Sequence, residues 1–194
     1  MDHAEVPGLN RARTADLPSQ VSRTAHENMN REQRLSRWID LYSDTILKTC
    51  FLYLSDRQQA EDVLQDTWIK AWKHMEDIDR KGITNEKAWL LRIAINTCKD
   101  YRRTAWFRHV DTRKAIEDLP ASLVSSEPED HTLTLIVMDL PDRYKQIILL
   151  HYFQGLTLQE TADVLGQSAS TAHRRLKKAE ALLKDALERG EAHE

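Results

Sequence analysis

"LTLQETADVLGQSASTAHRRLKKAE", residues 156–180, decides how the chain is read. Thr157-Leu158-Gln159-Glu160 has the pattern of a capping box, in which the threonine hydroxyl and the glutamate carboxylate each satisfy a free amide at a helix start. Leu158, Ala162 and Leu165 then recur on one side of that helix. The small Ala162 lets a second helix approach closely, and Gly166 permits the left-handed turn between the two. Ser168 stands where it can cap the next helix, whose inward positions are Ala172, Leu176, Ala179, Leu183 and Leu187. His173, Arg174, Lys177 and Lys178 face away from that stripe. A helix, a tight turn and a basic second helix form a helix-turn-helix. Ser170, Thr171, His173 and Arg174 then lie where a recognition helix meets base edges or phosphates. The plainer alternative is a helical hairpin with a solvated basic face. The Ala162/Gly166 spacing favours the DNA reader.

Bulk properties limit what else the chain can be. Its 194 residues, 41% apolar, suffice for one medium domain or two small ones. Charged residues make up 30%, and glycine and proline number five each, which favours a helical protein over a β-sandwich. No apolar run approaches the ~18 residues of a membrane span, and no apolar stretch follows a basic start, so neither membrane insertion nor a secretory signal is expected. Cys50 and Cys98 sit among apolar residues, as buried thiols of a reducing compartment do. The net charge of −3 excludes indiscriminate coating of nucleic acid. Residues 35–108 carry 13 basic and 11 acidic groups, a net +2; residues 111–130 carry 2 and 6, a net −4; residues 131–194 carry 8 and 9, a net −1. DNA contact must therefore come from local basic faces.

The segmentation follows from the breaks. Residues 1–32 read as a loosely ordered N-terminal extension, and 109–130, which includes most of "DLPASLVSSEPEDH" (118–131), as an acidic, flexible linker. Two modules remain, 33–108 and 131–190, so the expected fold is all-α, with two small helical domains. In the first, a helix runs from about 33 to 54. Ser55-Asp56-Arg57-Gln58 reads as a capping box for the second helix, whose stripe is Ala60, Val63, Leu64, Thr67, Trp68, Ala71, Trp72 and Met75. Asp62, Gln65, Asp66, Ile69, Lys70 and Lys73 occupy its other side, a mixed face that on its own reads as solvated. "DIDRKGITNE" (77–86) breaks the pattern at Gly82 and offers Thr84 or Asn85 as the next cap. The third helix, about 86–105, buries Leu90, Ile93, Ala94, Thr97 and Tyr101 and ends in a basic-aromatic cluster: Lys99, Tyr101, Arg102, Arg103, Trp106, Phe107 and Arg108. Such a surface suits a single strand, whose bases stack on aromatic rings while cations follow its phosphates. It equally suits a helix end with cations set against the dipole. The second module starts near Pro141 with one helix through "RYKQIILLHYFQG", stopped at Gly155.

No enzymatic constellation emerges. The eight histidines form no metal-ligand pattern with cysteines or carboxylates, no glycine-rich phosphate loop is present, and no nucleophile–base order appears. Neither a metal nor a cofactor is expected.

Three stretches taken together resemble a bacterial sigma-70 family factor of the extracytoplasmic-function group. "QAEDVLQDTWIKAW" (59–72) is similar to the core-binding motif of region 2. "KAWLLRIAINTCKDYRR" (87–103) is similar to the helix that melts and reads the −10 element. "LPDRYKQIILLHYFQGLTLQETADVLGQSASTAHRRLKKAEALL" (140–183) is similar to region 4, which reads the −35 element. The resemblance implies a non-enzymatic initiation factor that docks on core RNA polymerase. Asp62, Gln65, Asp66 and Ile69 would meet the β′ clamp helices. Asn96, Lys99, Asp100, Arg102 and Arg103 would lie at single-stranded −10 DNA, with residues 77–86 helping to hold a flipped base. Ser168, Ser170, Thr171, His173, Arg174, Arg175 and Lys178 would lie at duplex −35 DNA, with Arg175, on the packing side, touching phosphate or acting structurally. Region 4 would also touch the β flap, and the acidic linker would thread the polymerase's basic active-site path. The resemblance further implies an anti-sigma partner and cytoplasmic action, nucleoid-associated in the holoenzyme or held at the membrane by that partner. Gln167 and Ala172 depart from the larger apolar residues usual at those positions. Two rival functions are a stand-alone helix-turn-helix repressor, which would bind a palindromic operator unaided, and an interaction protein that mimics sigma surfaces.

Overall fold

The first helix is fixed at both ends by its own residues. Asn30 accepts a hydrogen bond from the Gln33 amide, and the Gln33 side chain returns one to the Asn30 amide, a capping box that opens α1 (Arg31–Leu54). This device was not anticipated, and it starts the helix two residues before position 33. The computed structural model describes residues 30–104 and 128–191, and every regular element among them is helical. The cluster residues Trp106, Phe107 and Arg108 and the linker as far as residue 127 lie outside the described residues.

The expected capping box at Ser55 moves by one position. Ser55 ends α1 in the left-handed region, φ 58°, with its amide bonded to the Phe51 carbonyl. It therefore lacks the extended backbone an N-cap requires. Asp56, at φ −145°, takes the role, and its carboxylate accepts the Gln59 amide at 2.9 Å to open α2 (Arg57–His74). Within 77–86, where a break was expected, the short α3 (Glu76–Lys81) comes first, closed by Gly82 at φ 60°. Asn85 then caps α4 (Glu86–Thr104) by accepting the Ala88 amide. α1, α2 and α4 pack around Trp38, Ile46, Cys50, Val63, Leu90, Leu91, Ile95 and Cys98. Both cysteines are free and fully buried, as their apolar neighbours in sequence suggested.

The second module is longer than "near Pro141" implied. α5 (Pro128–Asp139) precedes it and begins inside the stretch read as linker; it buries Leu133, Val137 and Met138. α6 (Asp142–Ile148) does not run straight to Gly155. Leu149–Phe153 is a π-helical turn, closed by the Gln154 amide on the Leu149 carbonyl, and Gly155 follows at φ 68°. α7 (Leu158–Leu165) opens with the expected Thr157/Glu160 capping box and closes at Gly166, φ 65°. α8 (Ala169–Glu191) follows, with Ala172, Leu176, Ala179 and Leu183 buried.

The two modules are not held apart. One set of buried residues runs through both, and α4 packs on α7 while α1 packs on α5 and α6. The link is strongly polar. The Gln146 amide donates to the Tyr53 hydroxyl at 3.0 Å, and the Gln154 amide to the Thr49 hydroxyl at 2.9 Å. Lys145, only 3% exposed, points its ammonium at the Tyr53 carbonyl, 3.5 Å away. Burial, and then the charge of Arg102, lowers its pKa to about 8, against the opposing pull of Asp142 and Asp139.

A lysine whose pKa is depressed on folding binds its proton more tightly in the unfolded chain. Its contribution to stability therefore rises as pH climbs from about 8 toward the unfolded value of 10.5. Chemical denaturation of the wild type and of Lys145→Met should show a difference that shifts toward the wild type by roughly 2 kcal/mol between pH 7 and 9.5. Parallel pH profiles for the two proteins would contradict the buried ammonium.

Candidate nucleic-acid interface

Positions 62, 65, 66 and 69 on α2 fall at steps that place them on one helix face. Gln65 is exposed, Asp62 and Asp66 are half-buried, and Ile69, at 51% exposure, is a bare apolar side chain among carboxylates. Asp62 accepts the Gln58 amide at 3.4 Å. Asp66 accepts the Tyr101 hydroxyl at 3.2 Å, which ties this face to α4. Burial, followed by the charge of Asp66, raises the Tyr101 phenol above its ordinary pKa.

On α4 the five expected residues divide. Asn96, Asp100 and Arg103 are exposed, with Arg103 ion-paired to Asp100 one turn back. Lys99 is half-buried; burial and then the charge of Arg175 lower its pKa. Arg102 is exposed as well, but its guanidinium is engaged by the second module. Its guanidinium lies 2.9 Å from the Asp142 carboxylate and 3.3 Å from the Tyr53 carbonyl, and 5.9 Å from the centre of the Tyr53 ring. A cleft of about 600 Å³ opens here between α4 and α6, lined by Tyr53, Asn96, Lys99, Arg102, Asp142 and Gln146 among others.

The segment before α4 is braced by residues that belong to none of the three expected surfaces. Arg34 and Arg37 of α1 converge on Glu86, a carboxylate only 10% exposed, at 3.2 and 2.5 Å. Arg34 also reaches Asp79 at 3.0 Å, and Arg31 reaches Glu76 at 3.1 Å. α1 thereby fixes α3 and the start of α4 as one unit. Basic residues one turn apart in α1 were the available signal, but sequence does not disclose their partners some 50 positions later.

The helix-turn-helix gathers the third set. Ser168 caps α8 through the Thr171 amide at 3.3 Å, and its hydroxyl also meets those of Ser170 and Thr171 at 3.1 and 3.0 Å. His173, Arg174, Lys177 and Lys178 are exposed on one side. Arg175 is half-buried and faces Lys99 closely enough to influence it. The turn carries a polar defect: both amide atoms of the Gln167 side chain are buried without a hydrogen-bond partner, although the backbone N–H bonds the Ala162 carbonyl at 3.0 Å. Ala172 is fully buried. Among the described residues no group of histidines, cysteines and carboxylates could hold a metal, and no helix is long and apolar enough to cross a membrane.

Comparison with known proteins matches the two modules to described families. Residues 38–108 match Sigma-70 region 2, and residues 131–183 match Sigma-70, region 4. The ECF RNA polymerase sigma factor SigW of Bacillus subtilis is 30% identical over 154 residues, which span 71% of this chain and 80% of that protein. The RNA polymerase sigma-E factor of Streptomyces antibioticus is 30% identical over 149 residues, spanning 75% and 79%. Two solved structures share the fold. CnrH in complex with the cytosolic domain of CnrY matches at a TM-score of 0.61 and 23% identity, covering 85% of this chain and 93% of that one. The sigma factor RpoE in complex with the anti-sigma factor NepR, from Bartonella quintana, matches at 0.63 and 21%, covering 80% and 97%.

An unpartnered buried amide costs about 1–3 kcal/mol. Gln167→Met, which keeps the side chain's length and removes both polar atoms, should raise the free energy of unfolding by about 1 kcal/mol in a urea titration. A loss of stability would show that the amide is satisfied.

Proposed function

The chain belongs to the extracytoplasmic-function group of the sigma-70 family of RNA polymerase sigma factors, and from that premise we propose how its surfaces share the work. It is a transcription initiation factor: it binds core RNA polymerase, directs it to promoter DNA and promotes opening of the duplex. Its role is regulatory. The polymerase supplies the chemistry, and no residue of this chain is assigned a catalytic task. It acts in the cytoplasm, where polymerase and promoter are, and an anti-sigma factor is its regulatory partner.

The observation that carries this reading is the order of two matched regions in one chain, each bearing its own exposed surface. The α2 face of Asp62, Gln65, Asp66 and Ile69 docks on the β′ clamp helices. An exposed isoleucine gives it an apolar centre and the carboxylates a charged rim, the anatomy of a protein interface. Asn96, Lys99, Asp100, Arg102 and Arg103 lie along the displaced −10 strand, and the α3–α4 segment, braced by Arg34, Arg37 and Glu86, offers a rigid edge for an extruded base. Ser168, Ser170, Thr171, His173, Arg174 and Lys178 present hydroxyls and cations to the −35 duplex, while Arg175 serves phosphate or packing. The stretch between the two modules, up to the start of α5 at Pro128, runs between the two readers through the polymerase.

The modest charge of each module keeps DNA binding by the free chain weak, because few phosphates are neutralised. Tethering both readers on the polymerase raises their joint occupancy without new contacts. An operator-binding repressor has the opposite property, tight binding without polymerase.

Run-off transcription from genomic promoter fragments with purified core tests the whole: core plus this chain should initiate where core alone does not, and a persistent lack of initiation overturns the reading. For the docking face, Asp66→Arg should weaken core binding at least about tenfold, since it sets a cation where a carboxylate stood. Its helical circular dichroism should stay at the wild-type level. Unchanged affinity removes α2 from the interface.

A further inference from the structure

α3 is a helix of six residues that buries a single side chain, Ile78. So short an element has little apolar surface to fix it, and its place depends on polar anchors. The chief anchor comes from α1. Arg34 Nη1 lies 3.0 Å from each carboxylate oxygen of Asp79 in α3. Its Nε and Nη2 reach one oxygen of Glu86, the first residue of α4, at 3.3 and 3.2 Å. One guanidinium thus joins the two helices across residues 82–85. The fork is itself held in place. Its central carbon stands 5.1 Å from the centre of the Trp38 ring, and fully buried Trp38 meets Trp89 of α4 with ring centres 5.7 Å apart. The side chains of Arg34 and Glu86 keep only 12% and 10% of their exposure, and Arg37 donates to the other Glu86 oxygen.

The loop under this staple is the edge assigned above to the extruded base. Gly82 closes α3 at φ 60°, the Ile83 amide returns to the Ile78 carbonyl at 2.9 Å, and Asn85 caps α4. Gly82 and Thr84 are the exposed residues between these anchors. One end of the loop therefore moves with α3 and the other with α4, so any shift of α3 reshapes the edge. A surface that holds a ligand must keep its geometry to about 0.5 Å. A planar fork that grips two carboxylates supplies that constraint, whereas an ammonium on a flexible stem does not.

We infer that Arg34 is a positioning residue for base capture: held between Asp79 of α3 and Glu86 of α4, its guanidinium sets the shape of the edge at residues 82–85 that receives the extruded base. The inference rests on the function proposed above. Arg34 does this without meeting the strand, because its charge is spent on the two carboxylates.

The test uses holoenzyme assembled from core and the full chain. The probe is a fluorescent single-stranded oligonucleotide with the non-template −10 sequence of a promoter selected by run-off transcription. Replacing each base in turn by an abasic site should reveal, in the wild type, one position whose loss weakens binding about tenfold, the scale of one stacked base. In Arg34→Lys, which keeps the charge and loses the fork, that penalty should fall to about twofold. The penalties at other positions and the affinity for core should stay at the wild-type level. Asp79→Ala removes the arm of the staple that is 70% exposed, so the fold is spared, and it should give the same pattern. Arg57→Lys, the same change in an exposed α2 pair with Glu61, should leave the wild-type profile. The inference is overturned if both staple variants keep the wild-type penalty at that position, or if they weaken binding equally at every position, as a general loosening of the fold would. A wild-type profile that is flat throughout, with run-off initiation intact, overturns base capture and this inference with it, and leaves the sigma-factor assignment standing.

Discussion

The backbone carbonyl of Tyr53 is the point on which the two halves of the molecule depend. α1 ends at Leu54, and the last carbonyls of a helix lack intrahelical donors and carry the negative end of its dipole. A cation from each module answers that need: Arg102 from α4 and Lys145 from α6. The Tyr53 hydroxyl accepts from Gln146, one residue further along α6. Remove the left-handed turn at Ser55, and α1 would continue past the position where these donors meet it. The relation of the modules is thus set by how one helix stops.

The same logic acts at the other helix ends near the interface. Glu160 closes the α7 capping box with one oxygen and takes Asn85 with the other. One carboxylate therefore sits at the N-terminal ends of α7 and α4, where negative charge is favoured. Lys87 meets a carbonyl at the end of the π-helical turn, where positive charge is favoured. Burial lowers the Lys87 pKa, as it does that of Lys145, and Glu160 opposes the shift. Helix ends, rather than helix faces, supply most of the specific polar contacts between the modules.

This explains what was legible in the sequence and what was not. Periodicities of 3.6 residues gave the stripes of α2, α4 and α8, and short-range caps gave Thr157, Gly166 and Ser168, because each of these depends on neighbours within four positions. The cap at Ser55 went to Asp56 because hydroxyl and carboxylate compete equally in sequence, and only the turn that ends α1 excludes the serine. The first residues of α5 read as linker because its apolar positions, Leu133, Val137 and Met138, follow an acidic, proline-bearing start. The π-helical turn leaves no local signature in "LLHYF". The union of the modules was hidden altogether, since Tyr53, Gln146, Asn85 and Glu160 each look like ordinary surface or helix-end residues until their partners some 75 to 93 positions away are placed. For the candidate surfaces, spacing showed which residues share a face; it gave no sign that Arg102 pairs with Asp142 forty positions later.

Tyr101 adds a link between surfaces that the proposed function treats as separate. Its hydroxyl donates to Asp66 on the α2 face, and its backbone stands beside Arg102 in α4. α2 and α4 are packed along their length, with Lys70 donating to the Thr97 hydroxyl at 2.8 Å. A rigid pair of helices of this kind passes on displacement as a body, because packed side chains resist continuous deformation. Asp66 is thus tied to the helix that carries Arg102, and Arg102 in turn holds Asp142. The path from the outer face of α2 to the ion pair between the modules runs through two direct contacts and one step along the backbone, from Tyr101 to Arg102.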